Sequence, residues 1–321
     1  MEFAPNTFST LEDLNEKVKS EIAKVIVGQS EMVEQLIIAI LANGHVLIEG
    51  VPGVAKTLAA KLMAGTLRVD FSRIQFTPDL MPADVIGSSI FNVKNQEFEF
   101  KKGPIFSNIV LCDEINRAPA KTQSALFEAM QEKQITIDGK TYKLDNPFLV
   151  VATQNPIEQE GTYRLPEAQL DRFLFKILVD YPSLQEEIRI LQDSQNSEQP
   201  LAEKTIDAVM TKEELLHYRS LCRKVKVEEK LLEFIAQIVN KTRNNPNLYL
   251  GASPRASLAI LDTAKAKAAI SGRDFVIPED IIYVSVPVLR HRVQPTPEKE
   301  MEGITVDKII RDLISSIEVP R

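Results

Sequence analysis

The sequence predicts an α/β domain built on a parallel sheet, followed by a small all-helical domain. Through the first half, short apolar runs alternate with helical patterns. Several of those runs are apolar almost without a break, as strands buried on both faces are. After Asp180-Tyr181-Pro182 the runs stop and only helical periodicity continues, so residues 1–181 and 182–321 are expected to be separate domains.

The strand candidates are HVLIE (45–49), FSRIQF (71–76), NIVLCD (108–113), FLVVAT (148–153) and FLFKILV (173–179). Two other segments, FNVKNQEFEF (91–100) and QITIDGKTYKL (134–144), alternate with a period of two. The second turns on Asp138-Gly139, a strong hairpin signal, so two β-hairpins are expected as insertions in the α/β frame. Beyond residue 181, LQEEIRILQDS, KEELLHYRSLCRKV, EEKLLEFIAQIVNKTR, PRASLAILDTAKAKAAI and PEDIIYVSVPVLRHR read as helices. Their acid-rich beginnings and basic ends suit the helix dipole.

A chain of 321 residues can bury two cores. Its net charge of −7 and pI near 5.3 argue against nucleic acid as the main partner, which requires a clustered basic surface. Cys112 and Cys222 are too few and too far apart for a disulfide framework or metal cluster, and read as core thiols in a reducing compartment. The N-terminus lacks the pattern of a secretory signal. The longest apolar run, LIIAILA (36–42), is far short of a membrane span. A soluble cytoplasmic protein with no membrane insertion is the expectation.

The stretch IEGVPGVAKTLAAKL (48–62) nearly matches the phosphate-binding pattern G-x-x-x-x-G-K-[ST], with Ala55 where glycine is usual. Gly50 allows a tight exit from the strand, and Gly53 lets backbone N–H groups close on phosphates. Val51, Pro52, Val54 and Leu58 complete the candidate nucleotide contacts. Ala55 falls where loop becomes helix, so a negative φ is expected there and alanine keeps its N–H donor. Lys56 would reach the β- and γ-phosphates, and Thr57 would place its hydroxyl on Mg²⁺. A glycine-containing strand-to-helix turn with a chance lysine is the plainer alternative.

Asp113 and Glu114 end a buried strand, where ligands of open α/β sheets sit. Asp113 is suited to hold hydrated Mg²⁺, and Glu114 to polarise an attacking water. An acidic cap on the following helix is the alternative. FLVVATQNP brings Asn155 to the same crevice, where an amide could orient that water, although Asn-Pro alone is usually a turn. Arg172 precedes the last strand, where an ordinary salt-bridged arginine would also fit. In GASPRASLAIL, Ser253 is the N-cap and Pro254 opens the helix, so Arg255 opposes the dipole in its first turn. That broken local rule hints at function, against the alternative of a snorkelling surface arginine.

Taken in order, GVPGVAKT, LCDEINRAP, ATQNPIEQEGTYRLPEAQLDRF and GASPRA resemble the MoxR family of AAA+ ATPases across nearly the whole chain. The resemblance implies a P-loop AAA+ core with inserted β-hairpins and a helical lid. It also implies a hexameric ring with ATP bound between subunits and the lid packing over it. By position, Lys56 and Thr57 fall in Walker A, and Asp113 and Glu114 in Walker B. Asn155 corresponds to sensor 1, Arg255 to sensor 2, and Arg172 to an arginine finger given to a neighbouring subunit. Val27-Gly28-Gln29 resembles the segment lining the adenine pocket. The hairpin at 91–100 resembles the helix-2 insert, and the one at Asp138-Gly139 the hairpin before sensor 1. MoxR-like proteins are chaperone-like remodellers that mature or activate other proteins, often with separate von Willebrand factor A domain partners. Two other readings stand beside this: a magnesium-chelatase-like or helicase-like AAA+ motor, and a nucleotide-gated scaffold with little turnover. Glu114 and Arg172 argue against the scaffold.

Overall fold

The computed structural model describes residues 8–155, 163, 165–196 and 206–320. Two helices, α1 (Phe8–Ala23) and α2 (Ser30–Leu41), lead into β1 (His45–Gly50), then α3 (Lys56–Thr66), β2 (Phe71–Gln75) and α4 (Pro82–Ile86). The first hairpin, β3 (Gly87–Asn92) and β4 (Glu97–Lys102), precedes β5 (Ile109–Asp113) and α5 (Ala120–Glu132). The second hairpin, β6 (Gln134–Ile137) and β7 (Lys140–Lys143), is followed by β8 (Leu149–Gln154), α6 (Glu167–Leu170) and β9 (Phe173–Val179). Then come α7 (Leu184–Asn196), α8 (Lys212–Arg223), α9 (Glu229–Arg243), β10 (Leu248–Leu250), α10 (Pro254–Ile270), α11 (Pro278–Leu289), β11 (Gln294–Pro295), α12 (Pro297–Met301) and α13 (Val306–Ser315).

All five expected strands join one parallel sheet in the order β2-β5-β8-β1-β9. Alternate side chains of each central strand enter different cores. Val46 and Ile48 of β1 and Leu149 and Val151 of β8 pack with α1, α2, α3 and the later helices. Leu47, Val150 and Ala152 pack on the other face with Leu126 and Phe127 of α5. Both faces are therefore dry, which is why these strands read as unbroken apolar runs.

Parallel pairing gives the sheet two distinct edges. His45 lies beside Phe173 at the N-terminal edge, and Gly50 beside Val179 at the C-terminal edge. The five residue steps from His45 to Gly50 span roughly 16 Å.

Both hairpins form outside the main sheet. Asp138 and Gly139 have φ of 50° and 74°, the positive pair that a two-residue primed turn requires. The first hairpin starts earlier than its alternation predicts, at Gly87, where the backbones of the segments around Gly87 and Gly103 touch. A Cβ at Gly87, φ 101°, would lie 2.3 Å from the Lys101 carbonyl oxygen. Phe100 and Tyr142 join the hairpins with ring centroids 4.3 Å apart.

All five helices expected after residue 181 are present. The helical part also carries a short antiparallel ribbon, β10 with β11, which the sequence did not announce.

Candidate functional site

The loop after β1 is shaped by close contact with β9. A Cβ on Gly50 would come 2.5 Å from the Val179 carbonyl oxygen, so only glycine leaves the strand there. Gly53 takes φ 88°. Ala55, expected at a negative φ, stands instead at φ 61°, ψ 20° as the N-cap of α3. The loop closes back onto β9 and then opens α3, and positive φ at Gly53 and Ala55 turns backbone N–H groups towards a concave nest suited to an anion. Alanine holds that conformation at a cost of about 1–2 kcal/mol. Lys56 opens α3 and its Nζ donates to the Gly50 carbonyl. Val54 is buried, while Val51 and Leu58 pack against the core from partly exposed positions.

Pro52, Gly53, Ala55, Lys56, Thr57 and Leu58 line a cleft of about 340 Å³ with Asp113, Glu114, Thr153 and Asn155. The predicted residues of three separate strands thus meet at the C-terminal edge of the sheet. Thr57 Oγ1 donates to Asp113 Oδ2 at 3.2 Å. Asp113 Oδ1 accepts from Thr153 Oγ1 at 2.6 Å. A hydroxyl beside a strand-end carboxylate suits a metal that keeps most of its own waters, as Mg²⁺ does. No cluster of three acidic, histidine or cysteine ligands occurs among the described residues.

Glu114 does not cap α5 and makes no side-chain cap bond. It sits at φ 56° before a short 3₁₀ turn (Ile115–Arg117), and α5 begins only at Ala120, capped by Pro119. Its Oε2 accepts from Gln75 Nε2 at 2.8 Å and pairs with Arg117 Nε at 3.2 Å. The Glu114 amide donates to Thr153 Oγ1 at 3.0 Å. Asn155 is buried at the lip of the cleft.

Sequence reasoning missed Thr153, Gln75 and Arg73. Arg73 donates to Asp113 Oδ2 from Nε at 3.1 Å and from a terminal nitrogen at 2.8 Å. The available signal was the polar residues interrupting FSRIQF, since β2 pairs with β5 and sets Gln75 beside Asp113.

Arg172 and Arg255 do not join this cleft. Together with His45, Met130, Gln131 and Asp171 they line another, of about 280 Å³. Arg172 directly precedes Phe173, and β1 sets Phe173 beside His45, so this second cleft lies at the opposite edge of the sheet from the loop. Within the chain, Arg255 therefore stands away from its own loop. Asp171 explains why: its Oδ2 faces Arg255 at 3.7 Å and accepts from Ser253 Oγ at 3.2 Å, drawing the start of α10 to that edge. The Arg172 guanidinium stacks over Phe127, 5.7 Å from its centroid. Among the described residues, nothing accepts from its Nε.

Val27 and Gly28 do not line the loop's cleft either, although they lie near its edge of the sheet. Gln29 donates to the Asp180 carbonyl just past β9 at 3.0 Å, and Glu186 of α7 lies over Gly28, φ 74°. Of the stretch ATQNPIEQEGTYRLPEAQLDRF, positions 156–162 and 164 fall outside the described residues.

Burial keeps the two interior histidines neutral. His45 accepts from the Val150 amide and lies 3.2 Å from the Met130 carbonyl; desolvation lowers its pKa to about 4. His291 is likewise held well below its ordinary value by burial and the neighbouring Arg292. Cys112 and Cys222 are both free and buried, and burial raises both thiols, Cys222 to about 12. No helix among the described residues is long and apolar enough to cross a membrane.

Known proteins resemble this chain over nearly its whole length. The family described as "ATPase family associated with various cellular activities (AAA)" matches residues 45–175, and the AAA lid domain matches 240–313. YeaC of Bacillus subtilis, an uncharacterized protein, is 48% identical over 95% of this chain and 94% of its own. Chaperone MoxR1 of Mycobacterium tuberculosis is 44% identical over 95% of this chain and 82% of its own. A crystal structure of a candidate ATPase from Cytophaga hutchinsonii superposes with a TM-score of 0.89 at 44% identity, covering 98% of this chain and 97% of that one. With these matches across nearly its whole length, the chain belongs to the MoxR family of AAA+ ATPases.

Proposed function

We propose that this chain binds ATP with Mg²⁺ at the loop Gly50–Thr57 and hydrolyses it to ADP and phosphate in a ring of identical subunits, driving the remodelling of client proteins. The observation that carries the reading is Thr57 bonded to Asp113 beneath the loop, with Glu114 and Asn155 in the same cleft. When bound, Mg²⁺ would supply charge neutralisation to the phosphates. The loop amides and Lys56 bind the phosphates, Thr57 and Asp113 hold the hydrated ion, Asn155 orients water, and Glu114 takes its proton.

Arg172 and Arg255 cannot serve that chemistry within one chain, because roughly 16 Å of strand separates their edge of the sheet from the loop. We assign both to the site of an adjacent subunit, with the loop of one chain facing the arginine cleft of the next. A hexamer is the closed ring proposed for this pairing. Clients, and a von Willebrand factor A domain partner, would be separate polypeptides in the cytoplasm. The domain division at 181/182 belongs to the same proposal.

Glu114→Gln tests the hydrolytic step, since the amide is nearly isosteric but cannot act as a base. Expected are retained ATP binding and hydrolysis lowered by about 10² or more. Hydrolysis at the wild-type rate removes Glu114 from the mechanism, and Lys56→Ala with undiminished nucleotide affinity removes the loop.

A further inference from the structure

Asp113 is already occupied by a cation. Its Oδ2 accepts three hydrogen bonds, one from Thr57 and two from the guanidinium of Arg73 on the neighbouring strand. A carboxylate oxygen has lone-pair sites for about two donors, with little room for a third. Among the described residues Oδ1 accepts from Thr153 alone, but Thr57 faces Oδ2, so a water on a metal held between Thr57 and Asp113 needs one of the Oδ2 sites. The same Arg73 terminal nitrogen also donates to Gln75 Oε1 at 3.1 Å, and Gln75 in turn holds Glu114. Half of the Arg73 side chain is exposed, on strand β2 at the end of the sheet order, so it can leave without opening a core.

We propose that Arg73 is a positioning residue that stands in for the metal: it neutralises Asp113 in the metal-free state, must release Oδ2 when hydrated Mg²⁺ arrives, and so sets the Mg²⁺ concentration at which the site assembles. This rests on the ATP reading of the cleft given above. Two consequences of opposite sign follow from charge alone. Without Mg²⁺, Arg73 offsets the negative charge of Asp113 near the triphosphate and helps ATP bind. With Mg²⁺, the same pairing competes with the ion and weakens its effect. Reciprocal linkage makes the ratio of ATP affinities with and without Mg²⁺ the direct measure of that competition.

The test is binding of a fluorescent ATP analogue to the full-length chain, in EDTA and across a Mg²⁺ titration, for wild type, Arg73→Gln and Arg73→Lys. In Arg73→Gln, affinity in EDTA should fall, the Mg²⁺ midpoint should drop about threefold or more, and the ratio of the two affinities should rise accordingly. Arg73→Lys keeps the charge and should stay near wild type in both arms. A thermal melt of each variant in EDTA establishes that the chain is folded. An unchanged ratio in folded Arg73→Gln, a uniform loss in both arms, or an equal rise in Arg73→Lys overturns the proposal and leaves Arg73 as a strut between strands. A wild-type chain that binds no nucleotide in either arm overturns the ATP reading itself, and this inference with it.

Discussion

Arg292 donates from Nε to Asp171 Oδ1 at 2.8 Å, and the pair stitches the chain after α11 to the residue preceding Arg172. The Arg292 side chain is 4% exposed and also donates to the carbonyls of Asp171, Phe173, Leu174 and Val288. The other Asp171 oxygen faces Arg255, so this single carboxylate ties Arg292 to the second cleft and draws Arg255 there. Removing it leaves a buried guanidinium without its counter-charge. Asp171→Ala should destabilise the chain by about 3 kcal/mol, read as a lower midpoint of urea unfolding, and a shift within the error of replicate titrations would show that the carbonyls alone satisfy Arg292.

Subunits that lack one half of a shared site should complement each other. Arg172→Ala is expected to bind ATP normally and hydrolyse little, while Lys56→Ala lacks the loop cation but keeps its arginine. Mixed, the two should regain activity at interfaces that pair an intact loop with an intact Arg172, since a delivered arginine is worth on the order of 10³ in rate. Failure to recover in demonstrably mixed rings would sink the sharing of sites.

The strain at Ala55 should be measurable. With φ at 61° the residue occupies the left-handed region, where glycine escapes the Cβ clash but adds freedom to the unfolded chain. Ala55→Gly should therefore raise stability by about 0.5–1 kcal/mol and leave ATP affinity the same or slightly tighter. Ala55→Val should lose both stability and affinity. Equal stability for the glycine and valine variants would mean that position 55 carries no strain.

Stability should fall on mild acidification. The unfolded chain takes up a proton at His45 near pH 6.5, whereas the folded chain resists until about pH 4. The unfolded state therefore binds more protons in that window, so stability is full above it and is lost as pH drops from 6.5 towards 4. For His45 the loss is about 3 kcal/mol at most, and His291, shifted the same way, adds to it. Urea midpoints at pH 7.5 and 5.0 measure the slope, which should be shallower in His45→Gln; an identical slope would move the effect to other groups.

What the sequence decided by itself is local. Unbroken apolar runs named the central sheet strands within a residue or two, because burial on both faces leaves no polar position in their interiors, whereas the end strand β2 carries Ser72, Arg73 and Gln75. Asp138-Gly139 named its turn because few residue pairs tolerate two positive φ values. Gly50, Gly53, Lys56 and Thr57 were legible because loop chemistry is written in consecutive residues, and Asp113, Glu114 and Asn155 because each ends a strand.

Tertiary structure alone decided which of these residues meet. Arg172 and Arg255 were singled out from their neighbours in sequence, yet only the register of β9 on β1 placed them at the edge away from the loop. Arg73 lies 40 residues from Asp113, and nothing local links them; the pairing of β2 with β5 does. The sign of φ at Ala55 likewise depends on how the loop closes back onto β9 and opens α3, which no single-residue preference encodes. Propensity and turn chemistry act over a few residues, whereas strand order and register are fixed by burying two faces of one sheet at once, and the site is assembled at that second level.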